Sequence, residues 1–96
     1  MITKIHKTFD GRGVLAVCDS DLLGKKFEEK DLQIDLTSNF YKGEEKKEEE
    51  ILELFKIASI INLVGKKSVE LGIKAGIIDK EKVIKIKGVP HAQVLS

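Results

Sequence analysis

Residues 51–64 read ILELFKIASIINLV, and this apolar stretch decides the fold that the sequence predicts. Its apolar residues recur at helical spacing, with Ile51 and Phe55 on one face, and its last two turns are apolar nearly all round. A helix of that kind lies in the core rather than on the surface. The acidic run 44–50 suits the positive N-terminal end of a helix dipole, and Gly65 is the expected C-cap. We therefore predict one long apolar helix over this stretch.

The segments around this helix predict further strands and one more helix. A shorter helix is predicted over residues 66–75, and the glycine pair in residues 10–13 predicts a turn between two strands of a hairpin. Strand patterns cover residues 2–8, 14–18, 32–36, 83–87 and 92–95. We predict an α+β fold in a single domain, 1–96, with a mixed β-sheet packed against the long apolar helix and the shorter helix.

Composition excludes several classes of protein. The chain has 96 residues, one cysteine and two histidines, so an internal disulfide and a cysteine-based zinc framework are excluded. Residues 1–7 lack the apolar core of a signal peptide, and the longest apolar run is too short to span a bilayer. We expect a cytoplasmic protein with no membrane association, no bound metal and no cofactor.

Charge is abundant but nearly balanced. Charged residues make up 34% of the chain and the formal net charge is +1, with two asparagines, two glutamines and one methionine. That composition is typical of thermophiles. Residues 31–60 carry four lysines against eight acids, whereas residues 61–96 carry seven lysines against three. The sequence therefore predicts either polarised faces or two ordinary solvated surfaces.

Lysines in the basic C-terminal third are the first candidate binding residues. Lys66 and Lys67 open the shorter predicted helix, where backbone N–H groups also favour anions, and Lys85 and Lys87 follow on a predicted strand. A patch of this kind would bind phosphates. The alternative is solvated charge in a lysine-rich protein, and the lack of aromatic residues nearby argues against recognition of single strands.

A predicted loop at residues 88–93 supplies the second set of candidates. Pro90 restricts the backbone there, so His91 and Gln93 would be presented rigidly to a ligand. The alternative is a turn whose imidazole bonds a neighbouring carbonyl. Asn62, in the apolar end of the long predicted helix, either caps a loose backbone group or faces a pocket shared with His91.

Cys18 and Asp19 end the most apolar predicted strand and are the candidate catalytic residues. With His91 as a partner, Cys18 could act as a nucleophile. The alternative is a small buried side chain followed by a turn aspartate, since acids beside a thiol raise its pKa and lower its reactivity. No oxyanion motif or fixed geometry supports the catalytic interpretation.

Four blocks of the sequence resemble one family along essentially the whole chain. They are VCDSDLLGK at 17–25, FYKGE at 40–44, NLVGK at 62–66 and GVPHAQ at 88–93. The chain resembles the archaeal family called domain of unknown function 424. The resemblance implies a small archaeal cytosolic α+β protein without an established activity, and a weak association with genes of translation.

Two hypotheses of function follow, and a third stays open. The first is a non-enzymatic binding module for RNA or a ribosomal assembly, using the C-terminal lysines and the loop at Pro90 and His91. The second is a small enzyme, or a subunit of one, with Cys18, Asp19, Asn62 and His91 around a cleft. The third is a homo-oligomer or a structural partner protein, which exposed strand edges would allow.

Overall fold

The computed structural model describes residues 1–95, and Ser96, which the predicted domain includes, lies outside the described residues. A six-stranded sheet and a separate two-stranded hairpin form its framework. In chain order the elements are β1 (Ile2–Lys7), β2 (Gly13–Cys18), a 3₁₀ turn (Ser20–Leu22), β3 (Lys26–Glu29), β4 (Leu32–Asp35), β5 (Glu44–Glu45), α1 (Glu48–Ile57), β6 (Ile60–Val64), α2 (Lys66–Lys74), a second 3₁₀ turn (Lys80–Lys82), β7 (Ile84–Ile86) and β8 (Val89–Leu95).

The large sheet is mixed, as predicted. Its strand order is β5-β1-β2-β6-β8-β7, and β3 pairs with β4 in the separate hairpin. Strands β1 and β2 form the predicted antiparallel hairpin. Strands β2 and β6 pair in parallel, and all the other pairs are antiparallel. The α+β class is therefore confirmed.

The prediction of one long apolar helix was wrong. Helix α1 ends at Ile57, and residues 60–64 form the strand β6 at the centre of the sheet. This strand lies between β2 and β8 and is covered by side chains on both faces, so it needs apolar residues almost throughout. A short run of that kind cannot be distinguished from a buried helical segment by its periodicity. Asn62 consequently lies on a strand.

Two clusters of buried side chains hold the layers together. On one face of the sheet, α1 and α2 pack through Ile51, Phe55 and Val69 against side chains such as Leu15 and Leu63. On the other face, the β3–β4 hairpin and the segment after it are held by a second cluster: Ala16, Cys18, Ile34, Leu36, Tyr41, Val64 and Ile86. No helix within residues 1–95 is long and apolar enough to cross a membrane.

The C-terminal hairpin differs from the loop that was predicted there. Pro90 and His91 belong to β8, where they pair with Lys85 and Ile84 of β7. Only two residues turn the chain, and both have positive φ: 52° at Lys87 and 78° at Gly88. This is the backbone of the tight hairpin turn whose twist matches that of the flanking strands. Pro90 therefore lies within a short hairpin rather than in a loop.

A buried aspartate fixes the position of α2. Asp19 follows β2, its side chain is only 6% exposed, and its carboxylate accepts bonds from the start of the helix. Lys67 N–H donates to Oδ2 at 3.0 Å, and Ser68 N–H and Ser68 Oγ–H donate to Oδ1 at 2.8 Å each. The carboxylate satisfies N–H groups that have no partner within a helix, and its charge opposes the positive end of the helix dipole.

Gly65 makes room for this carboxylate. The residue immediately precedes α2, so it does not end a longer helix as predicted. Its φ is +107°, and a Cβ added there would lie 2.3 Å from Cγ of Asp19. A side chain at this position would be strained by the backbone conformation and would also displace the carboxylate.

We predict that Asp19→Ala lowers the free energy of unfolding by about 2–4 kcal/mol, because three hydrogen bonds to a buried carboxylate are lost. Gly65→Ala should lower it as well. Urea denaturation followed by circular dichroism measures both effects. Asp79→Ala is the matched control, since this exposed aspartate also precedes a helical turn but makes no capping bond with its side chain. Equal losses in Asp19→Ala and Asp79→Ala would contradict the role given to Asp19.

Candidate nucleic-acid interface

Three lysines from three different elements line one groove on the helical side of the sheet. Lys66 begins α2, Lys80 begins the second 3₁₀ turn, and Lys85 lies on β7; Pro90 of β8 lines the same groove. The groove has a volume of about 450 Å³. We call it the lysine groove, and its remaining lining residues are Val69, Glu70, Ile73 and Val83.

The local fold explains why these residues converge. The hydrogen bonds from α2 to Asp19 fix the first turn of that helix, which carries Lys66. Pairing of Lys85 with Pro90 places both on the same face of the sheet, which is the face that packs against α2. The backbone N–H of Gly65 also donates to the Pro90 carbonyl at 2.8 Å. The start of the helix and the hairpin are therefore joined directly at the groove.

The charges in the lysine groove are unequal. Its lining includes three lysines and one carboxylate, that of Glu70. The chain as a whole carries a net charge of only +1, so the lining of the groove is more positive than the average of the chain. Aliphatic residues between the lysines allow their methylene stems to lie on apolar surface while the ammonium groups stay in water. Such an arrangement suits an extended anion with several charges.

Two of the predicted binding lysines lie outside this groove. Lys67 faces a separate cavity that it lines with Met1, Glu48 and Lys74, among others. Lys87 occupies the tip of the β7–β8 turn, where its backbone N–H donates to Oε1 of Glu29 at 2.7 Å. Two N–H groups at the start of α2, those of Lys67 and Ser68, are also occupied, since Asp19 accepts from them. The structure thus brings together Lys66, Lys85 and Pro90 from the predicted set.

Asn62 and Gln93 lie on the opposite face of the sheet. They are direct partners on β6 and β8. Asn62 is half-buried and Gln93 is exposed. Because successive side chains on a strand point to opposite faces, they share the face of His91 and not that of Pro90. These two residues therefore do not contribute to the lysine groove.

Cys18 and His91 do not form a catalytic pair. Val64 lies between them, paired with Cys18 on one side and with His91 on the other. Two strand spacings separate their Cα atoms by about 9–10 Å, which is too far for proton transfer between the side chains. His91 Nδ1 lies 3.0 Å from the Leu63 carbonyl, to which it donates. The bond to a carbonyl is the one that the alternative interpretation predicted, but His91 lies on a strand and not in a turn.

Burial also makes the Cys18 thiol a poor nucleophile. Its side chain is fully buried. Burial first, and then the charge of Asp19, raise its pKa to about 11. The thiolate is the reactive form of cysteine, so little of this residue is reactive at neutral pH. The carboxylate of Asp19 is occupied by the cap on α2.

Sequence reasoning missed Lys80 and the capping role of Asp19. Lys80 lies in a stretch predicted only as a turn, and its approach to the groove depends on how that turn packs. The capping role of Asp19 could have been found only if a helix start had been recognised after Gly65. The sequence is ambiguous there, because a glycine followed by two lysines and a serine fits the end of one helix as well as the start of another. Within residues 1–95, no three His, Cys, Asp or Glu side chains are grouped so that they could hold a metal ion.

These features define a small α+β protein with a mixed sheet and a lysine-lined groove on its helical side. The chain belongs to the family described as "Protein of unknown function (DUF424)", whose model matches residues 6–96, which confirms the predicted family. Among solved structures it is similar to "an uncharacterized conserved protein from Methanopyrus kandleri", with 29% identity, coverage of 98% of this chain and 90% of that chain, and a TM-score of 0.78. No curated protein matches it.

We predict that Cys18 does not react with iodoacetamide in the folded protein near neutral pH and reacts fully after unfolding, as measured by intact mass. The raised pKa also has a consequence for stability. The folded state favours the protonated thiol. The contribution of Cys18 to the free energy of unfolding is therefore constant below about pH 9 and is lost as the pH rises towards 11.

The pH dependence can be measured against a variant without the thiol. The difference in unfolding free energy between the wild type and Cys18→Ala should narrow by about 2 kcal/mol between pH 9 and pH 11. This comparison cancels the titration of groups that do not interact with the Cys18 thiol. Rapid alkylation of the folded protein at pH 7 would contradict the assignment of Cys18 as an inert core residue.

Proposed function

We propose that this protein is a non-enzymatic binding module that contacts the phosphate backbone of RNA, within an RNA-containing or translation assembly, through the lysine groove. The observation that carries the proposal is the convergence of Lys66, Lys80 and Lys85 on one groove. These lysines come from separate elements, so their proximity is a property of the fold rather than of a lysine-rich segment. Lysine ammonium groups bind phosphate oxygens as point charges.

The lining of the groove favours backbone contacts over recognition of bases. Its non-lysine members are aliphatic, apart from Pro90 and Glu70, so they offer no aromatic surface on which bases could stack. Duplex RNA is recognised mainly by shape and by contacts to phosphates and 2′-hydroxyls. We therefore expect binding to structured RNA with weak sequence preference and a strong dependence on salt.

The geometry around Cys18 weighs against the alternative enzyme hypothesis. A nucleophile needs a deprotonated or activated side chain within hydrogen-bond reach of a base. Cys18 has a raised pKa and full burial, and Val64 separates it from His91. The residues that the enzyme hypothesis requires are therefore not assembled around one cleft, and we assign them structural roles.

We predict that the double variant Lys80→Glu, Lys85→Glu binds structured RNA at least about tenfold more weakly than the wild type, because two phosphate contacts become repulsive. The slope of log K against log salt concentration should fall by roughly two. Fluorescence anisotropy with a labelled RNA hairpin at several salt concentrations measures both quantities. Co-sedimentation with ribosomal particles at low and high salt extends the test to the assembly.

The control variant makes the same change of net charge elsewhere. Lys30→Glu, Lys42→Glu alters two exposed lysines outside the groove and should leave RNA affinity within about threefold of the wild type. Glu70→Gln changes the groove in the opposite direction and should tighten binding, since it removes the one carboxylate of the lining. If both double variants weaken binding equally, the interaction reflects overall charge and the groove is not the site.

A further inference from the structure

A fully exposed phenylalanine lies at one end of the sheet. Phe9 is in the turn between β1 and β2, and its ring is fully exposed to solvent. The chain contains only four phenylalanines, and the other three are at least partly buried. Aromatic side chains contribute most to folding and association when they are buried, so the exposed ring of Phe9 is available for burial against a partner.

Hydrogen bonds within the turn hold Phe9 in this position. Thr8 N–H donates to the Arg12 carbonyl at 2.8 Å, and Gly11 N–H donates to the Thr8 carbonyl at 2.9 Å. Arg12 Nε–H donates to Oδ2 of Asp10 at 3.0 Å. These bonds close the turn on both sides of Phe9, so the ring is presented on a fixed backbone rather than on a loose loop.

An apolar cavity opens beside this turn. It has a volume of about 250 Å³, and we call it the end cavity. Its lining residues are Ile5, Lys7, Gly11, Gly13, Val14, Leu15, Leu54, Ile57 and Ala58. Ile5 and Ile57 at its mouth are 52% and 75% exposed. Neither Gly11 nor Gly13 would bring an added Cβ within 4 Å of another residue, so the absence of side chains keeps this cavity open.

We infer that the end cavity binds Phe9 of a second copy of this chain, so that two copies form a symmetric dimer. A two-fold axis brings the same surface patch of each copy together, and a patch that carries both a projection and a matching cavity is complementary to itself. Lys7 and Gly11, which lie on either side of Phe9 in the chain, both line the end cavity, so the projection and the cavity are at the same end of the molecule and this condition is met. With a net charge of +1, two copies repel each other little. The inference is independent of the proposed RNA function, because the lysine groove involves none of these residues.

Two variants remove the two halves of the contact separately. Phe9→Ser removes the projection without disturbing the core, because the ring is already exposed. Gly13→Leu fills the cavity, and its backbone φ is not in the left-handed region that would strain a leucine. Leu32→Ser is the matched control, since Leu32 is an exposed apolar residue, 48% accessible, on the separate β3–β4 hairpin.

Sedimentation equilibrium of the full chain from about 1 µM to about 1 mM measures the association, over a range suited to small interfaces. The wild type should show a monomer–dimer equilibrium. Phe9→Ser and Gly13→Leu should each raise the dissociation constant at least about tenfold, whereas Leu32→Ser should change it by no more than about twofold.

Mixing the two variants gives the sharpest result. A Phe9→Ser chain keeps an open cavity and a Gly13→Leu chain keeps the phenylalanine, so an equimolar mixture retains one of the two contacts. The mixture should therefore associate more strongly than either variant alone. A wild-type chain that stays monomeric, a mixture that associates no more strongly than its components, or a Phe9→Ser variant that dimerises as tightly as the wild type would each overturn the inference.

Discussion

The carboxylate of Asp19 is the constraint on which the arrangement of this protein depends. It lies at the end of β2, is buried, and accepts three hydrogen bonds from the start of α2. A buried carboxylate without partners would cost several kcal/mol, so the helix and the strand are held in one relative position. Gly65 is the complementary requirement, because its missing side chain is what allows the carboxylate to approach.

The lysine groove follows from that constraint. The first turn of α2 carries Lys66, and the Gly65 N–H bonded to Pro90 connects the same turn to the β7–β8 hairpin. Asp19 also changes what the start of α2 can bind. Helix N-termini commonly hold anions through free N–H groups, but here the N–H groups of Lys67 and Ser68 already donate to Asp19. We therefore expect an external anion to be bound mainly by lysine side chains, which reach further and fix the geometry of the anion less strictly.

The fold class and much of the strand pattern could be predicted from the sequence, whereas the centre of the sheet could not. The β1–β2 hairpin has clear local signals in its glycines and its apolar run. Residues 60–64 carry none, because a strand buried on both faces and a buried helical turn have the same composition, and only pairing with β2 and β8 decides between them. Pro90 misled for a related reason, since a proline usually marks a loop but is accepted near the edge of a sheet.

The candidate site was predictable only in part, because grooves depend on tertiary packing. The sequence identified Lys66 and Lys85 as candidate binding residues from their charge. Lys80 was not identified, because it joins them in the groove only through the packing of the turn after α2. Cys18, Asn62 and His91 fall on neighbouring strands as a consequence of register, and the same register places Val64 between the thiol and the imidazole. Register between distant strands is set by tertiary pairing, which the local residue pattern does not encode.

The strand order divides the sheet into two halves of different origin. Strands β5, β1 and β2 come from the first 45 residues, β6, β8 and β7 come from residues 60–95, and the parallel pair of β2 with β6 is the seam between them. The β1–β2 and β7–β8 pairs are local hairpins. The seam joins segments more than forty residues apart, as the two-residue β1–β5 pair also does, and such pairs carry a larger loop-closure cost. We expect the seam to form late in folding, so that substitutions in β6 mainly accelerate unfolding while those in the β1–β2 hairpin slow folding, a contrast that φ-value analysis measures. During synthesis, β2 would then have one uncovered edge until residues 60–64 have emerged.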